Sequence, residues 1–291
     1  MEQAQARTSG QDVLQSRPKD RKQKTTLLEV NSRDRDIRKY PISNDFRWKL
    51  QTPLKDVLSV QVVGGSIPSR IFNVDVGWNA FTFREASKVY TVTLTPGTYT
   101  SAQFCSEVSA ELNGLADISN SYLASTNPTT DQFILTRTGS QSFSLLFATT
   151  SYSDLFEGDT LLKINSPRKM MGFAVADYAN TGDTITSPYA SEVDFLQNRI
   201  FLYLNQSTAQ DMGTISRSNG KLRPHAVIYM DMPGQSYKTF TRDLFMPTYT
   251  SQPAPIGKIN TLDISLRDEY DRVINLNNRD WSVLLEIVYI D

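Results

Sequence analysis

Short runs of alternating apolar and polar residues dominate the first third of the chain. From Phe46 to Leu50 the apolar side chains fall on one face of a predicted strand, while Arg47 and Lys49 fall on the other. Further strand-like runs lie at 27–30, 57–63 and 80–83, and they are separated by Pro53, Gly64-Gly65, Pro68 and Gly77. Strands broken at such short intervals predict an antiparallel sandwich or barrel.

The same kind of sequence returns towards the C-terminus. Strand-like runs lie at 199–204, 225–230, 262–266 and 281–290. Leu262, Ile264 and Leu266 alternate with polar residues, so one face of that strand is expected to be buried. We therefore predict that residues 25–85 and 190–291 together build one mainly β sandwich, which the C-terminal strands close.

The middle of the chain has a mixed character. A strand-like run at 89–94 leads into Thr95-Pro96-Gly97-Thr98, whose Pro-Gly order favours a type II turn. Thr100 and Gln103 then have the spacing of a helix capping box. The apolar residues that follow at every fourth position are Phe104, Val108 and Leu112. This spacing predicts one amphipathic helix that ends at Asn113-Gly114.

Two more strand-like runs follow the predicted helix. They lie at 133–137 and 142–147, and the Thr138-Gly139-Ser140 sequence between them favours a hairpin. Residues 86–189 thus combine strands, a turn and a helix, unlike the sequence on either side. We predict that they form a small α+β lobe inserted into the sandwich.

Charge is distributed unevenly along a chain whose net charge is −1. Residues 1–49 contain twelve Lys or Arg and seven Asp or Glu, so the remainder is mildly acidic. Residues 1–24 hold only Val13 and Leu14 as sizeable apolar side chains, too few to offset the entropy of ordering. This stretch is predicted to be a flexible basic arm, either simply solvated or able to contact an anionic polymer.

Candidate reactive groups are scarce. Cys105 is the only cysteine and His225 the only histidine, so an intramolecular disulfide and a multi-histidine metal site are excluded. Cys105 is expected to be a buried small side chain of the helix, and His225 a structural residue of a strand. The carboxylates within 268–271 alternate with Arg267 and Arg272, which favours an exposed turn with paired charges. We therefore expect no catalytic site, no cofactor and no metal.

Neither a signal peptide nor a membrane span is expected from the sequence. Residues 1–5 have no apolar core of a signal peptide, and no apolar run approaches the roughly 18 residues of a membrane span. With a single cysteine, folding in a reducing intracellular compartment is expected. Secretion through a signal peptide and integral membrane insertion are not expected.

A run of both charge signs follows the first strand. Its members are Arg33, Asp34, Arg35, Asp36, Arg38 and Lys39. One interpretation is a solvated surface. The other is a subunit interface, because Arg side chains pair bidentately with carboxylates and can lock a segment onto a neighbour. The sequence leaves both open.

Four stretches of the chain resemble, in order, the single jelly-roll penton or minor capsid proteins of large icosahedral DNA viruses of the nucleocytoplasmic type. They are 31–46, 53–68, Leu94-Thr95-Pro96-Gly97-Thr98-Tyr99-Thr100 and 262–290. The Pro-Gly-x-Tyr-Thr turn with its helix, the predicted hairpin at Phe143-Ser144-Leu145, and Met171-Gly172-Phe173 look like the insertion between jelly-roll strands in that family.

The resemblance implies a structural protein rather than an enzyme. It implies a single jelly roll of two sheets with an inserted lobe, assembled as a homopentamer at the fivefold vertices of the virion. The implied partners are the major capsid protein and other minor capsid proteins, with the N-terminal arm in possible contact with internal virion components. Assembly is expected inside the host cell.

Other functions stay open at this point. The chain could be a glycan- or receptor-binding jelly-roll module of the virion surface, since jelly rolls also occur as lectin scaffolds. It could be another minor capsid protein that cements neighbouring subunits. An enzyme with a carboxylate pair that only folding brings together is the third alternative.

Overall fold

The computed structural model describes residues 22–157, 160–193, 199–205, 223–231, 236–241 and 250–290. These residues form sixteen strands, one α-helix and a short 3₁₀ turn at Ser32–Asp34. In chain order the elements are β1 Gln23–Asn31, β2 Asp45–Pro68, β3 Ala80–Glu85, β4 Lys88–Thr93, α1 Ser101–Asn113, β5 Ser121–Thr126, β6 Gln132–Thr138, β7 Phe143–Leu146, β8 Leu155–Glu157, β9 Thr160–Lys163, β10 Asp177–Ala179, β11 Thr184–Ala190, β12 Arg199–Asn205, β13 Ala226–Tyr229, β14 Tyr237–Thr241, β15 Thr250–Arg267 and β16 Ser282–Ile290. The fold is mainly β, as predicted.

The largest sheet is organised by the long strand β2. Its strand order is β1-β16-β2-β15-β12-β13, and β14 pairs with the last residues of β2. The first part of β2 pairs with β15, in the register Phe46 opposite Ile264, and its last part pairs with β16, with Gly64 opposite Leu284. Irregular pairing between these parts lets one strand take part in both halves of a curled sheet. Strand β2 therefore runs through Pro53, where the sequence had indicated a break.

The two halves of the curled sheet enclose one hydrophobic core. It contains buried side chains from both ends of the chain, among them Phe46, Val60, Leu202, Ile264 and Leu285. The alternation of apolar and polar residues is the cause, because every second side chain of each strand points to the same face. This is the sandwich of a jelly roll, as the sequence predicted.

A close approach of backbones explains one glycine in β2. A Cβ atom at Gly65 would lie 2.6 Å from both the Phe240 ring and the Ser282 carbonyl oxygen. Strands β14 and β16 flank this residue on its two sides. Gly65, which seemed to end a strand, instead permits dense packing in the middle of the sheet.

The inserted part of the chain builds a second core. Strands β10-β7-β3-β4 form one sheet, β11-β6-β5 form another, and α1 packs with them. The buried side chains are largely aromatic, and they include Phe81, Phe104, Phe133, Phe147 and Phe173. Ring centroids of neighbouring pairs lie 5.4 to 6.4 Å apart, a spacing typical of stabilising aromatic contacts. The fold is thus a jelly roll with an inserted α+β lobe.

Helix α1 follows the prediction closely. The Thr100 hydroxyl accepts a hydrogen bond from the Gln103 backbone N–H, and the Gln103 side chain accepts one from the Thr100 N–H. Both donors would otherwise lack a partner at the start of a helix. The buried face consists of Phe104, Cys105, Val108 and Leu112.

The boundary of the lobe differs from the prediction. Residues 80–85 were assigned to the sandwich, but β3 pairs with β4 and β7, and its Phe81 and Phe83 belong to the second core. The second core begins at Val74 and extends to Val193. Strand β3 pairs with β4, which begins three residues after β3 ends. Antiparallel strands can be joined by such a short turn, so β4 is the nearest partner available along the chain.

The predicted hairpin of 133–137 and 142–147 is also wrong. Strand β6 pairs with β5 and β11, whereas β7 pairs with β3 and β10 in a different sheet. Asn120 redirects the chain between them, since its side chain exchanges hydrogen bonds with the backbone of Gln141. Gly139 has a φ of 140° at this point, a conformation that favours glycine.

Two smaller expectations need correction. Gly97 does not have the positive φ of a type II turn but pairs with Val74 in an isolated bridge, with N–H to O distances of 2.9 and 3.1 Å. Of the predicted flexible arm 1–24, residues 1–21 lie outside the described residues. Gln23 and Lys24 belong to β1, because the end of β16 pairs with them.

A carboxylate in the lobe gives a pH-dependent contribution to stability. Partial burial raises the pKa of Asp177, but hydrogen bonds from the Thr149 hydroxyl and the N–H groups of Ala148 and Thr149 more than offset this, so its pKa is lowered. The folded state therefore favours the ionised form. This stabilisation is present above the ordinary carboxyl pKa and is lost as the pH falls through the lowered one.

We expect Asp177→Asn to lower the free energy of unfolding at pH 7 by no more than about 1 kcal/mol, since the residue is exposed. Urea denaturation of both proteins at several pH values measures this. The difference should shrink as the pH falls below 3.8, the ordinary carboxyl pKa, because the unfolded chain then binds a proton that the folded one does not. A difference that grows with acidity would contradict the assignment.

Candidate interface segment after the first strand

The charged run after β1 forms a hydrogen-bonded connection to β2, which we call the interface segment (residues 31–41). Asn31 starts it, since its side chain accepts a hydrogen bond of 3.0 Å from the Arg33 N–H and so caps the 3₁₀ turn. The carbonyl of Asp36 then accepts the N–H groups of Lys39 and Tyr40, at 3.0 and 2.8 Å. Two consecutive turns therefore bring the chain from β1 to β2.

Arg35 anchors the interface segment from within. Its side chain is only 4% exposed, and its guanidinium donates five hydrogen bonds. The acceptors are the carbonyls of Ser32, Tyr40 and Pro41, the side-chain oxygen of Asn278 and the Asp280 carboxylate. Such a fully bonded cation can remain charged in a buried position.

The loop before β16 supplies the other half of this anchor. Asp280 accepts hydrogen bonds from the Ser32 hydroxyl at 3.1 Å and from Arg35 at 3.2 Å. The Ser32 and Trp281 backbones are joined by an N–H to O bond of 2.9 Å, and the Trp281 indole donates to the Ser43 carbonyl. The interface segment is thus tied to residues more than 240 positions away.

The six candidate residues are therefore divided by the structure. Arg35 faces inward and its guanidinium is bonded within the chain, and its assignment as an interface residue stays a prediction. Arg33, Asp34, Asp36, Arg38 and Lys39 are exposed. The Arg33 side chain is 77% exposed and lies 3.5 Å from Asp280, and Ile37 is 61% exposed between the charges. Sequence reasoning missed Ser32, Asn278 and Asp280, since no local pattern marks them.

Three grooves on the described surface are lined in part by the interface segment, and the two larger ones have similar volumes. The first, of about 360 Å³, is lined by Asp34, Asp36, Lys39, Tyr40, Arg47, Trp48, Lys49 and Thr261. The second, of about 370 Å³, is lined by Pro41, Ile42, Asn44, Asp75, Val273, Ile274, Asn275, Asn277 and Asn278. One groove is charged and aromatic, and the other is apolar with an amide rim. Asp34, Asp36 and Lys39 thus line one concave surface, and Pro41 lines the other.

A cross-strand ion pair lies beside the first groove. Arg47 of β2 donates two hydrogen bonds to Asp263 of β15, at 2.5 and 3.0 Å. This contact raises the pKa of the Arg47 guanidinium. Both side chains are partly exposed, so the pair fixes the local shape of the surface more than it stabilises the fold.

The other candidate groups have structural positions. Cys105 is buried on α1, and His225 is fully buried, where its backbone N–H donates to the Leu202 carbonyl at 2.8 Å. Asp268 is buried rather than exposed as expected, and it pairs with Arg272 at 2.5 Å.

Within the described ranges, no three His, Cys, Asp or Glu residues are grouped as metal ligands. No helix in the described part of the chain has the length and apolarity of a membrane span.

Comparison with known proteins gives a family for the chain. The profile of the family described as "Family of unknown function (DUF5901)" matches residues 12–253. The chain belongs to this family. The matched residues include the interface segment, the whole inserted lobe and strands β1 to β14.

Among solved structures, the crystal structure of the mavirus penton protein is similar to this chain. The alignment covers 93% of this chain and 100% of that one, with 11% sequence identity and a TM-score of 0.44. No curated protein matches the sequence.

Proposed function

We propose that this protein is a structural, non-enzymatic subunit of an icosahedral virus capsid, and that it forms a homopentamer at the fivefold vertices. The observation that carries the proposal is the interface segment, in which a buried arginine holds exposed charges of both signs on the flank of a jelly roll. The resemblance of four ordered stretches of the sequence to single jelly-roll penton proteins supports the same function.

The geometry of the interface segment suits subunit contact. A closed ring is built from heterologous contacts, so each subunit needs two different patches that complement each other. A surface with both charge signs can meet a neighbour without accumulating net charge. Because Arg35 and Asp280 already fix the backbone of the segment, little conformational entropy is lost when a neighbour binds.

The proposal extends to the location and partners of the protein. A vertex subunit lies in the virion and contacts the major capsid protein and other minor capsid proteins around the ring. The part of the basic arm that precedes β1, residues 1–22, would then be available for internal virion components. Assembly takes place in the interior of the host cell under this proposal.

We expect the purified wild-type chain to form a pentamer, and Arg33→Glu/Arg38→Glu to weaken it about tenfold or more, because like charges then meet at the contact. Native mass spectrometry and analytical ultracentrifugation across a concentration series measure this. The difference should shrink as salt rises from about 0.05 M to 0.5 M, since exposed charges are screened over roughly 10 Å or less.

A matched control uses two exposed cations of the lobe. Arg84→Glu/Lys88→Glu makes the same change in net charge away from the interface segment, and it should assemble like the wild type. A wild-type chain that stays monomeric at all concentrations contradicts the pentamer. A pentamer that tolerates Arg33→Glu/Arg38→Glu at low salt leaves the capsid function in place and shows the segment to be a solvated surface.

A further inference from the structure

A cleft lies where the inserted lobe meets the jelly roll, away from the interface segment. It has a volume of about 80 Å³. Its walls come from both cores, since Trp78, Ser166, Lys169 and Glu192 belong to 74–193 and Tyr270 and Arg272 follow β15. We call it the junction cleft. Sites between two packed units are common positions for small-ligand binding.

Arg272 is held rigidly in the junction cleft. Its Nε donates to Asp268 at 2.5 Å, and its guanidinium stacks on the Trp78 ring with 3.7 Å to the centroid. The side chain is 13% exposed. None of the described residues accepts a hydrogen bond from Nη1 or Nη2. An arginine fixed at Nε, with both terminal amino groups available, is arranged to bind an oxyanion bidentately.

Lys169 brings a second cation to the same place. Its ammonium donates to the Tyr270 hydroxyl and lies 3.3 Å from the Glu192 carboxylate. The Lys169 ammonium and the Arg272 guanidinium are each 5.1 Å from the centroid of the Tyr270 ring, so both cations contact the same aromatic side chain. An ammonium carries three donors, and the described partners account for two of them.

The hydroxyl group of Ser166 is an independent indication that the junction cleft binds a polar ligand. The residue is 1% exposed and lines the junction cleft, yet its hydroxyl has no hydrogen-bond partner among the described residues. Buried hydroxyl groups are nearly always bonded, because leaving one unsatisfied costs free energy. A polar group that enters the cleft would satisfy it.

We propose that the junction cleft binds an oxyanion, the charged oxygens of a phosphate or a carboxylate group, through Arg272, Lys169 and Ser166. Glu192 opposes this binding, since it already pairs with Lys169 and would repel the incoming anion. Binding is therefore expected to be weak in the wild type and to strengthen when Glu192 loses its charge. This site does not depend on the proposed capsid function.

The test uses the full-length chain and calorimetric titration with inorganic phosphate, with sodium chloride at matched ionic strength as the blank. Ser166→Ala should bind phosphate about tenfold more weakly, as for the loss of one hydrogen bond to a charged group. Its melting temperature without phosphate should equal or exceed that of the wild type, because the removed hydroxyl had no partner. Glu192→Gln should bind phosphate about tenfold more tightly.

The outcomes separate the possibilities. If Ser166→Ala binds like the wild type, if Glu192→Gln binds more weakly, or if no protein binds phosphate, the proposal is overturned. Arg272→Gln is less decisive, because it also removes the stacking on Trp78. A parallel titration with acetate identifies the source: binding of phosphate alone indicates a phosphate-bearing ligand, and equal binding of acetate indicates a carboxylate.

Discussion

Replacing Arg35 with glutamate should lower the free energy of unfolding by about 3–5 kcal/mol, the cost of breaking a buried, hydrogen-bonded charge. The substitution removes five hydrogen bonds and places a carboxylate beside Asp280 and three backbone carbonyls. The interface segment and the loop before β16 would lose their common anchor. Urea denaturation followed by tryptophan fluorescence measures the effect, since Trp281 lies in this anchor.

The neighbouring Arg33→Glu is the matched control. This side chain is 77% exposed and makes only a surface ion pair, so the expected change is within about 0.5 kcal/mol. Equal free energies of unfolding for Arg35→Glu and the wild type would show that the hydrogen bonds of Arg35 do not stabilise the fold. The contrast also matters for assembly experiments. A variant in which Arg35 is replaced would lose assembly both through unfolding and through a lost subunit contact, and the two effects could not be told apart.

The second large effect is expected in the lobe, for Asp154→Ala. Asp154 pairs with Arg168, and their side chains are 0% and 8% exposed. Asp154 also accepts the Asn165 N–H at 3.0 Å, and Arg168 donates to the Phe173 carbonyl at 2.8 Å. Removing the carboxylate leaves a buried guanidinium without its counter-ion, which should cost about 3–5 kcal/mol. Thermal unfolding by calorimetry measures this loss.

An ion pair with an exposed carboxylate in the same lobe provides the comparison. Arg137 and Asp183 lie 3.1 Å apart, but the Asp183 side chain is 68% exposed. Asp183→Ala should therefore cost less than about 1 kcal/mol. If both substitutions lower stability by the same small amount, burial does not determine the energy of the Asp154–Arg168 pair.

The local elements of this fold could be predicted from the sequence. Strand positions follow from alternation within a few residues, and helix α1 follows from the four-residue spacing of its apolar side chains. The start of the helix was predictable because the side chains of Thr100 and Gln103 each accept a hydrogen bond from the other residue's backbone N–H within a single turn. The mixed charges of the interface segment were equally visible, and so was the buried character of Cys105.

The tertiary structure alone decided which strands pair and which charges are buried. Strands β6 and β7 looked like a hairpin, but Asn120 redirects the chain between them, and β3 joined the lobe rather than the sandwich. Arg35 resembles its neighbours in sequence, yet Asp280, 245 residues away, makes it an internal anchor. Alternation and capping depend on neighbours within a turn or two. Burial and hydrogen-bond satisfaction instead depend on segments that are adjacent only after folding.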